Sequence, residues 1–309
     1  MSGLAAVMLG VLAAGSVGAT GVTPACFGAA ARDAAKLCEN PALRLSVTPS
    51  PDDAALQPNA PCTPIRSKVP LPRVCSFGTS KARARATVAL LGDSHTPAWR
   101  ASVQVLARAQ RWRGLTVRRS SCPFSTARRP VSEAAASSCA GWIRATQRWF
   151  ARHPEIRTVF VGVSAAYDVI PATGSDRFTT AVAGYQAALD ALPASVRQIV
   201  VLRDNPVAAG NTLACVARTS ARRQRADLRC AMERATALLP DAASEAATRL
   251  RAGRGRVIDL TRFFCDELRC FPVVGGALVY KDTSHMTATF GTSLGPYLAS
   301  AYRALTPPP

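Results

Sequence analysis

Histidine, lysine and aromatic residues are all scarce in this 309-residue chain, which has 3 His, 4 Lys and an aromatic content of 6%. Three isolated histidines and no Cys-x-x-Cys pair leave no spacing suited to a zinc site. A glycine-rich phosphate loop is also missing, so neither a metal nor a nucleotide cofactor is expected. Acidic residues number 19 against 38 basic ones, a net charge of +19 that by itself invites a nucleic-acid reading. That reading lacks its usual companions. The charge is carried by 34 arginines scattered through an Ala-rich chain, with no zinc finger, aromatic RNA-binding motif or helix-turn-helix pattern. Nucleic acid is therefore not an expected partner, and a basic surface suits an anionic cell envelope or acidic polysaccharide better.

What the chain does have is a globular balance, 48% hydrophobic and 18% charged, without internal repeats. Its ten cysteines fall in local couples: Cys26 with Cys38, Cys62 with Cys75, Cys122 with Cys139, Cys215 with Cys230, and Cys265 with Cys270. Disulfides account for them best and imply an oxidising compartment outside the cytoplasm, although spacing leaves their connectivity open. Residues 4–22 are an uncharged run of 19 small and aliphatic residues without a basic leader, with Val17 and Ala19 offering a cleavage site. Residues 1–25 thus read as a signal peptide or a membrane anchor, making the chain secreted or anchored.

Residues 26–84 are rich in Pro and Ala, with four of the cysteines and little apolar periodicity. They read as a disulfide-stapled extension packed against a main domain of residues 85–309. In that domain short β-branched runs at 87–91, 115–118, 158–163, 198–202 and 256–260 alternate with amphipathic stretches at 97–112, 141–152, 178–191, 224–251 and 290–305. This alternation predicts an α/β fold: a three-layer parallel sheet flanked by helices. Ligands of such sheets bind at the carboxyl ends of the strands.

Directly after the first of these strands come Gly92, Asp93, Ser94 and His95. A serine at a sharp strand-to-helix turn places its hydroxyl at the strand's carboxyl end, near backbone N–H groups that stabilise developing negative charge. Gly92 permits the tight turn. A serine nucleophile needs a base. His153 reads as a surface residue at a helix exit. His95 adjoins Ser94, where neighbouring side chains diverge, so it shapes the pocket or caps the helix. His285 follows Asp282 at i, i+3 near the C-terminus, so one turn can present a base with its orienting carboxylate. Either motif alone also occurs as an ordinary turn or cap. Their joint position, one after the first strand and one before the last helix, favours Ser94, Asp282 and His285 as a catalytic set.

Gly92-Asp93-Ser94-His95 with Asp282-x-x-His285 resembles the SGNH/GDSL hydrolase superfamily, a flavodoxin-like fold. More closely it resembles the SGNH domain fused to acyltransferase-3 membrane proteins that O-acetylate surface polysaccharide. The segment Ser120 to Pro123 and the Cys265-x4-Cys270 pair are similar to that subfamily. The resemblance implies that Ser94 takes an acyl group, His285 shuttles the proton and Asp282 holds the imidazole. It further implies an acylated donor, an envelope-carbohydrate acceptor and a membrane acyltransferase-3 partner, with O-acetyltransfer, O-acetylesterase activity or a non-catalytic carbohydrate-binding module as the three readings. The family's oxyanion hole adds a glycine and an asparagine from middle blocks. No Gly-x-Asn-Asp follows the third strand here; Gly162, Ser164 and Asn205 are the candidates for those donors, each also readable as a strand-end or turn residue.

Overall fold

In the computed structural model, residues 23–66 and 72–305 are described. The apolar run at 4–22, read above as a leader or anchor, lies outside them.

Seven strands form one sheet: β1 (Thr63–Pro64), β2 (Val74–Gly78), β3 (Ala86–Gly92), β4 (Trp112–Arg118), β5 (Ile156–Gly162), β6 (Gln198–Leu202) and β7 (Gly255–Ile258). Their order is β1-β2-β4-β3-β5-β6-β7, and the five from β4 to β7 run parallel. The sheet is α/β as the alternation predicts, yet mixed rather than wholly parallel. The extension supplies β1 and β2, which pair antiparallel with each other and with β4. Val74–Gly78 is too short and too polar to announce itself in sequence. It becomes a strand because the outer edge of β4 would otherwise leave its backbone groups unpaired.

Helices cover both faces: α1 (Thr96–Ala109), α2 (Glu133–Ala151), α3 (Arg177–Asp190), α4 (Thr212–Ala221), α5 (Ala242–Thr248) and α6 (Ala288–Leu305). Strand residues sort by parity, as the two-residue pleat requires. Val88, Leu90, Phe160, Val200 and Leu202 face a core shared with α1 and α6. Ala89, Leu91, Val159, Val161, Ile199 and Val201 face a second core with α2, α3 and α5. Full burial on both faces explains why these strands read as continuous aliphatic runs.

Two helices depart from expectation. α2 starts eight residues before 141, because Ser132 caps it by accepting from the Ala135 N–H; the polar, Ala-rich first turns carry no apolar stripe. The expected helix at 224–251 is instead three short segments, Ala226–Arg229, Arg234–Ala237 and α5. Met232–Glu233 between them pairs with Arg269–Cys270, and Pro240 with the capping Asp241 restarts the chain at α5. The unforeseen α4 lies just before them.

All ten cysteines are bridged, in the five local couples. Cys62–Cys75 links β1 to β2, and Cys122–Cys139 ties the loop after β4 to α2. Such use of cysteine belongs to an oxidising, extracytoplasmic compartment. Among the described residues no helix is long and apolar enough to cross a membrane.

Candidate functional site

The chain passes from β3 to β4 on one side and then to β5 on the other, so the order of the parallel strands reverses around β3. The crevice at the carboxyl ends of β3 and β5 is where sheets of this order take ligands. Gly92 pairs there with Gly162, and Ser94 follows two residues later, partly buried.

Gly92 has φ +150°, and a Cβ on it would run into the Gly162 carbonyl oxygen and lie 2.8 Å from Thr96 Oγ1. The Thr96 hydroxyl itself donates to the Gly162 carbonyl at 3.0 Å, so the turn is clamped onto β5. Gly92→Ala is expected to cost about 1–3 kcal/mol from backbone strain alone. Displacement of Ser94 should accompany it, checked by a thermal melt and by the reactivity of Ser94.

Asp93 is fully buried and accepts from the His95 N–H at 2.7 Å and the Ser164 N–H at 2.9 Å. The Tyr167 hydroxyl also bonds to it, and burial, then that carboxylate, push the phenol well above its ordinary range. Asp93 thus fastens the serine turn to the loop after β5, a role not legible in the sequence. The Ser94 hydroxyl itself has no hydrogen-bond partner among the described residues.

His285 stands at the opposite wall. Lys281 N–H bonds to the His285 carbonyl at 3.0 Å, closing a tight loop. Within it one Asp282 oxygen accepts from the Ser284 and His285 N–H groups at 2.8 and 2.7 Å, and the other meets His285 Nδ1 at 2.8 Å. Burial works to raise the Asp282 carboxyl, but these hydrogen bonds outweigh it and hold it well below the usual carboxylate range. The same loop is held from β6: Asn205 Nδ2 donates to the Ser284 carbonyl at 2.8 Å, and the Ala208 N–H to the Thr283 carbonyl at 2.7 Å. His285 Nε2 is buried and has no hydrogen-bond partner among the described residues. The His285 ring lies 4.8 Å from the ring of His95, the residue after Ser94.

His95 occupies the N-cap position of α1 but makes no capping bond with its side chain, contrary to one sequence expectation. Its Nδ1 instead lies 2.7 Å from Asp204 Oδ1, with both side chains almost fully buried. Burial would depress the imidazole, but Asp204, aided by Asp93 and Asp282, prevails and pushes it up to about 9. Burial pushes the Asp204 carboxyl up against the pull of His95. The second Asp204 oxygen accepts from Ala165 N–H at 2.8 Å, and its own N–H donates to Asp241 at 2.9 Å. Asp241 also caps α5 through Ala243 and Ser244. Two His–Asp pairs therefore share one crevice. Asp204 was recoverable in principle, since it follows β6 directly; nothing local distinguishes it from its neighbour Asn205.

Groups on all three candidate oxyanion residues are engaged in hydrogen bonds within the fold. Ser164 N–H is bound to Asp93, and Asn205 Nδ2 is shared between the carbonyls of Ser284 and Pro206. Gly162 lies in the ladder, with its carbonyl bound by Thr96. The loop after β4 abuts the turn, however: Arg119 N–H bonds to the Gly92 carbonyl at 3.1 Å, and Ser121 adopts φ +57°. Backbone N–H groups of Ser94, Ser120 and Ser121 make no hydrogen bond among the described residues. His153 is remote, half-buried at the end of α2, stacked on Trp149 and bonded to the Trp149 carbonyl.

The model of the SGNH domain fused to AT3 domains matches residues 61–300. No curated protein matches the sequence. Among solved structures, the periplasmic domain of a lipopolysaccharide acetyltransferase from Salmonella ser. Paratyphi A is similar, at 13% identity and a TM-score of 0.48, covering 70% of this chain and 84% of that one.

Proposed function

Because the chain belongs to the family of SGNH domains found fused to AT3 domains, we propose that it is a serine acyl-transfer enzyme acting on envelope carbohydrate, with Ser94 as nucleophile, His285 as base and Asp282 as its orienting carboxylate. The observation that carries this reading is the pairing of a buried, unbonded His285 Nε2 with an Asp282-bound Nδ1, in ring contact with the residue next to Ser94. Ser94 Oγ attacks the acyl carbonyl carbon while its proton passes to His285 Nε2. The leaving alcohol takes that proton, and the acyl group stays on Ser94. An acceptor hydroxyl, deprotonated by the same nitrogen, then attacks the acyl-enzyme and regenerates the serine. The free N–H groups of Ser94 and of the Ser120–Ser121 turn supply the oxyanion donors, with the strained Ser121 aiming that turn.

Transfer and hydrolysis share this acyl-enzyme and differ only in whether a sugar or water attacks it. The family context favours transfer of acetyl, with a membrane acyltransferase-3 partner as the source of the acyl group and the chain secreted or anchored by its N-terminal segment. A fluorophosphonate probe tests the chemistry: the native chain should label and Ser94→Ala should not. An unlabelled native chain would leave a carbohydrate-binding role. Incubating the labelling-competent chain with an acetyl donor and oligosaccharide then separates acetylated sugar from free acetate.

A further inference from the structure

A cavity of about 610 Å³ opens beside the carboxyl end of β4, lined by Arg73, Arg118, Arg119, Ser120, Thr116 and Trp142 among others, and among the described residues no acidic side chain lines it. In the cavity under the N-terminal segment two of the three arginines are ion-paired, Arg44 with Glu39 at 3.3 Å and Arg225 with Asp227 at 2.6 Å, while Arg32 donates to the Arg262 carbonyl. In the β4 cavity none of the three arginines makes an ion pair among the described residues. Arg118 reaches only the Ser120 hydroxyl, at 2.8 Å, and Arg119 only the carbonyl and hydroxyl of Ser138. Arg73 has no partner among the described residues.

A further cation adds to the excess. Arg100, bonded only to the Ala60 carbonyl, is lowered to about 10 by burial and then by the like charge of Arg118. Trp142 lines the same cavity and is 1% exposed, and its indole N–H has no partner among the described residues. An uncompensated cluster of guanidinium groups is complementary to an oxyanion, which planar Arg donors bind in pairs. Its location is functional: Arg119 N–H is bonded to Gly92, two residues before the proposed nucleophile.

We propose that this cavity is a subsite for an oxyanion carried by the acceptor carbohydrate, a carboxylate or a phosphate, which holds the chain of sugars beside Ser94. This rests on the acyl-transfer reading and adds to it the class of acceptor. Exposed Arg73 and Arg118 provide the selectivity; Arg119 supports the loop.

Binding of three oligosaccharides of equal length, one neutral, one containing uronic acid and one phosphorylated, to the intact chain tests the assignment by calorimetry at low and high salt. One of the two charged ligands should bind about tenfold more tightly than the neutral one, as one charge-assisted hydrogen bond would give, and which one does so identifies the anion. The preference should weaken in salt and vanish in the double variant Arg73→Gln, Arg118→Gln. That variant should retain the native melting temperature. Equal affinity for all three ligands would overturn the proposal, as would a preference that survives in the variant. Failed labelling with intact charge selectivity would instead remove the acyl-transfer reading and leave the anion site standing.

Discussion

Asp282→Asn is expected to slow acyl transfer to a small aryl ester by about ten thousandfold while leaving the fold intact, the scale of loss when the carboxylate of a Ser-His-Asp set becomes an amide. The reason lies in which His285 nitrogen carries the proton. Asp282 accepts three hydrogen bonds, two from the backbone of its own turn and one from His285 Nδ1. Asparagine can keep the two backbone bonds through its carbonyl oxygen. Its amide then presents N–H to Nδ1, which must become an acceptor, and the proton moves to Nε2, the atom proposed to receive the serine proton. The loop is preserved and the base is disabled.

Because the folded carboxyl of Asp282 lies below its unfolded value near 3.9, its contribution to the loop is present above that value and is lost as pH falls through the folded one. Single-turnover rates should therefore differ between native and variant chains by the same factor throughout the neutral range. A variant retaining a tenth of the native rate would show that another group serves as base.

Asp204→Ala should have the larger effect on stability, about 3 kcal/mol, because removing one member of a buried pair strands the other. At about 2–4 °C per kcal/mol for a domain of this size, the melting temperature should fall by roughly 6–12 °C. Both side chains of the His95–Asp204 pair are at most 2% exposed, so solvent offers little compensation. The pH dependence carries a definite sign. His95 is raised in the folded chain to about 9 from an ordinary 6.5, so its contribution is full below the unfolded value and is lost as pH rises through about 9. The native melting temperature should decline between those limits, and the decline should flatten in Asp204→Ala. A native chain whose melting temperature is level across that window would mean a neutral pair. Since the rings of His95 and His285 lie 4.8 Å apart, Ser94 should also label more slowly once His95 loses its anchor.

The features legible in the sequence are the ones determined by short-range geometry. Alternating apolar runs foretell β3 to β7, because each strand buries both faces and must be continuously aliphatic. An Asp three residues before a His can reach both the His N–H and its ring within one turn, as Asp282 does. Cysteines separated by 5 to 17 residues close local loops, as all five couples do. Gly92 before a strand-to-helix serine announces a turn that no other residue fits.

Only the tertiary structure decided the partnerships between strand ends. His95 meets Asp204 across 109 positions because β3 and β6 flank β5 in the sheet, and strand order is a property of the whole packing. The same holds for Asp93 reaching Ser164, for Val74–Gly78 completing the edge of β4, and for Arg73 gathering with Arg118 around one cavity. Sequence by itself placed a serine after the first parallel strand and an Asp-x-x-His before the last helix of an α/β domain. The buried His95–Asp204 pair and the uncompensated arginines beside the carboxyl end of β4 arise from which strand ends the sheet brings side by side.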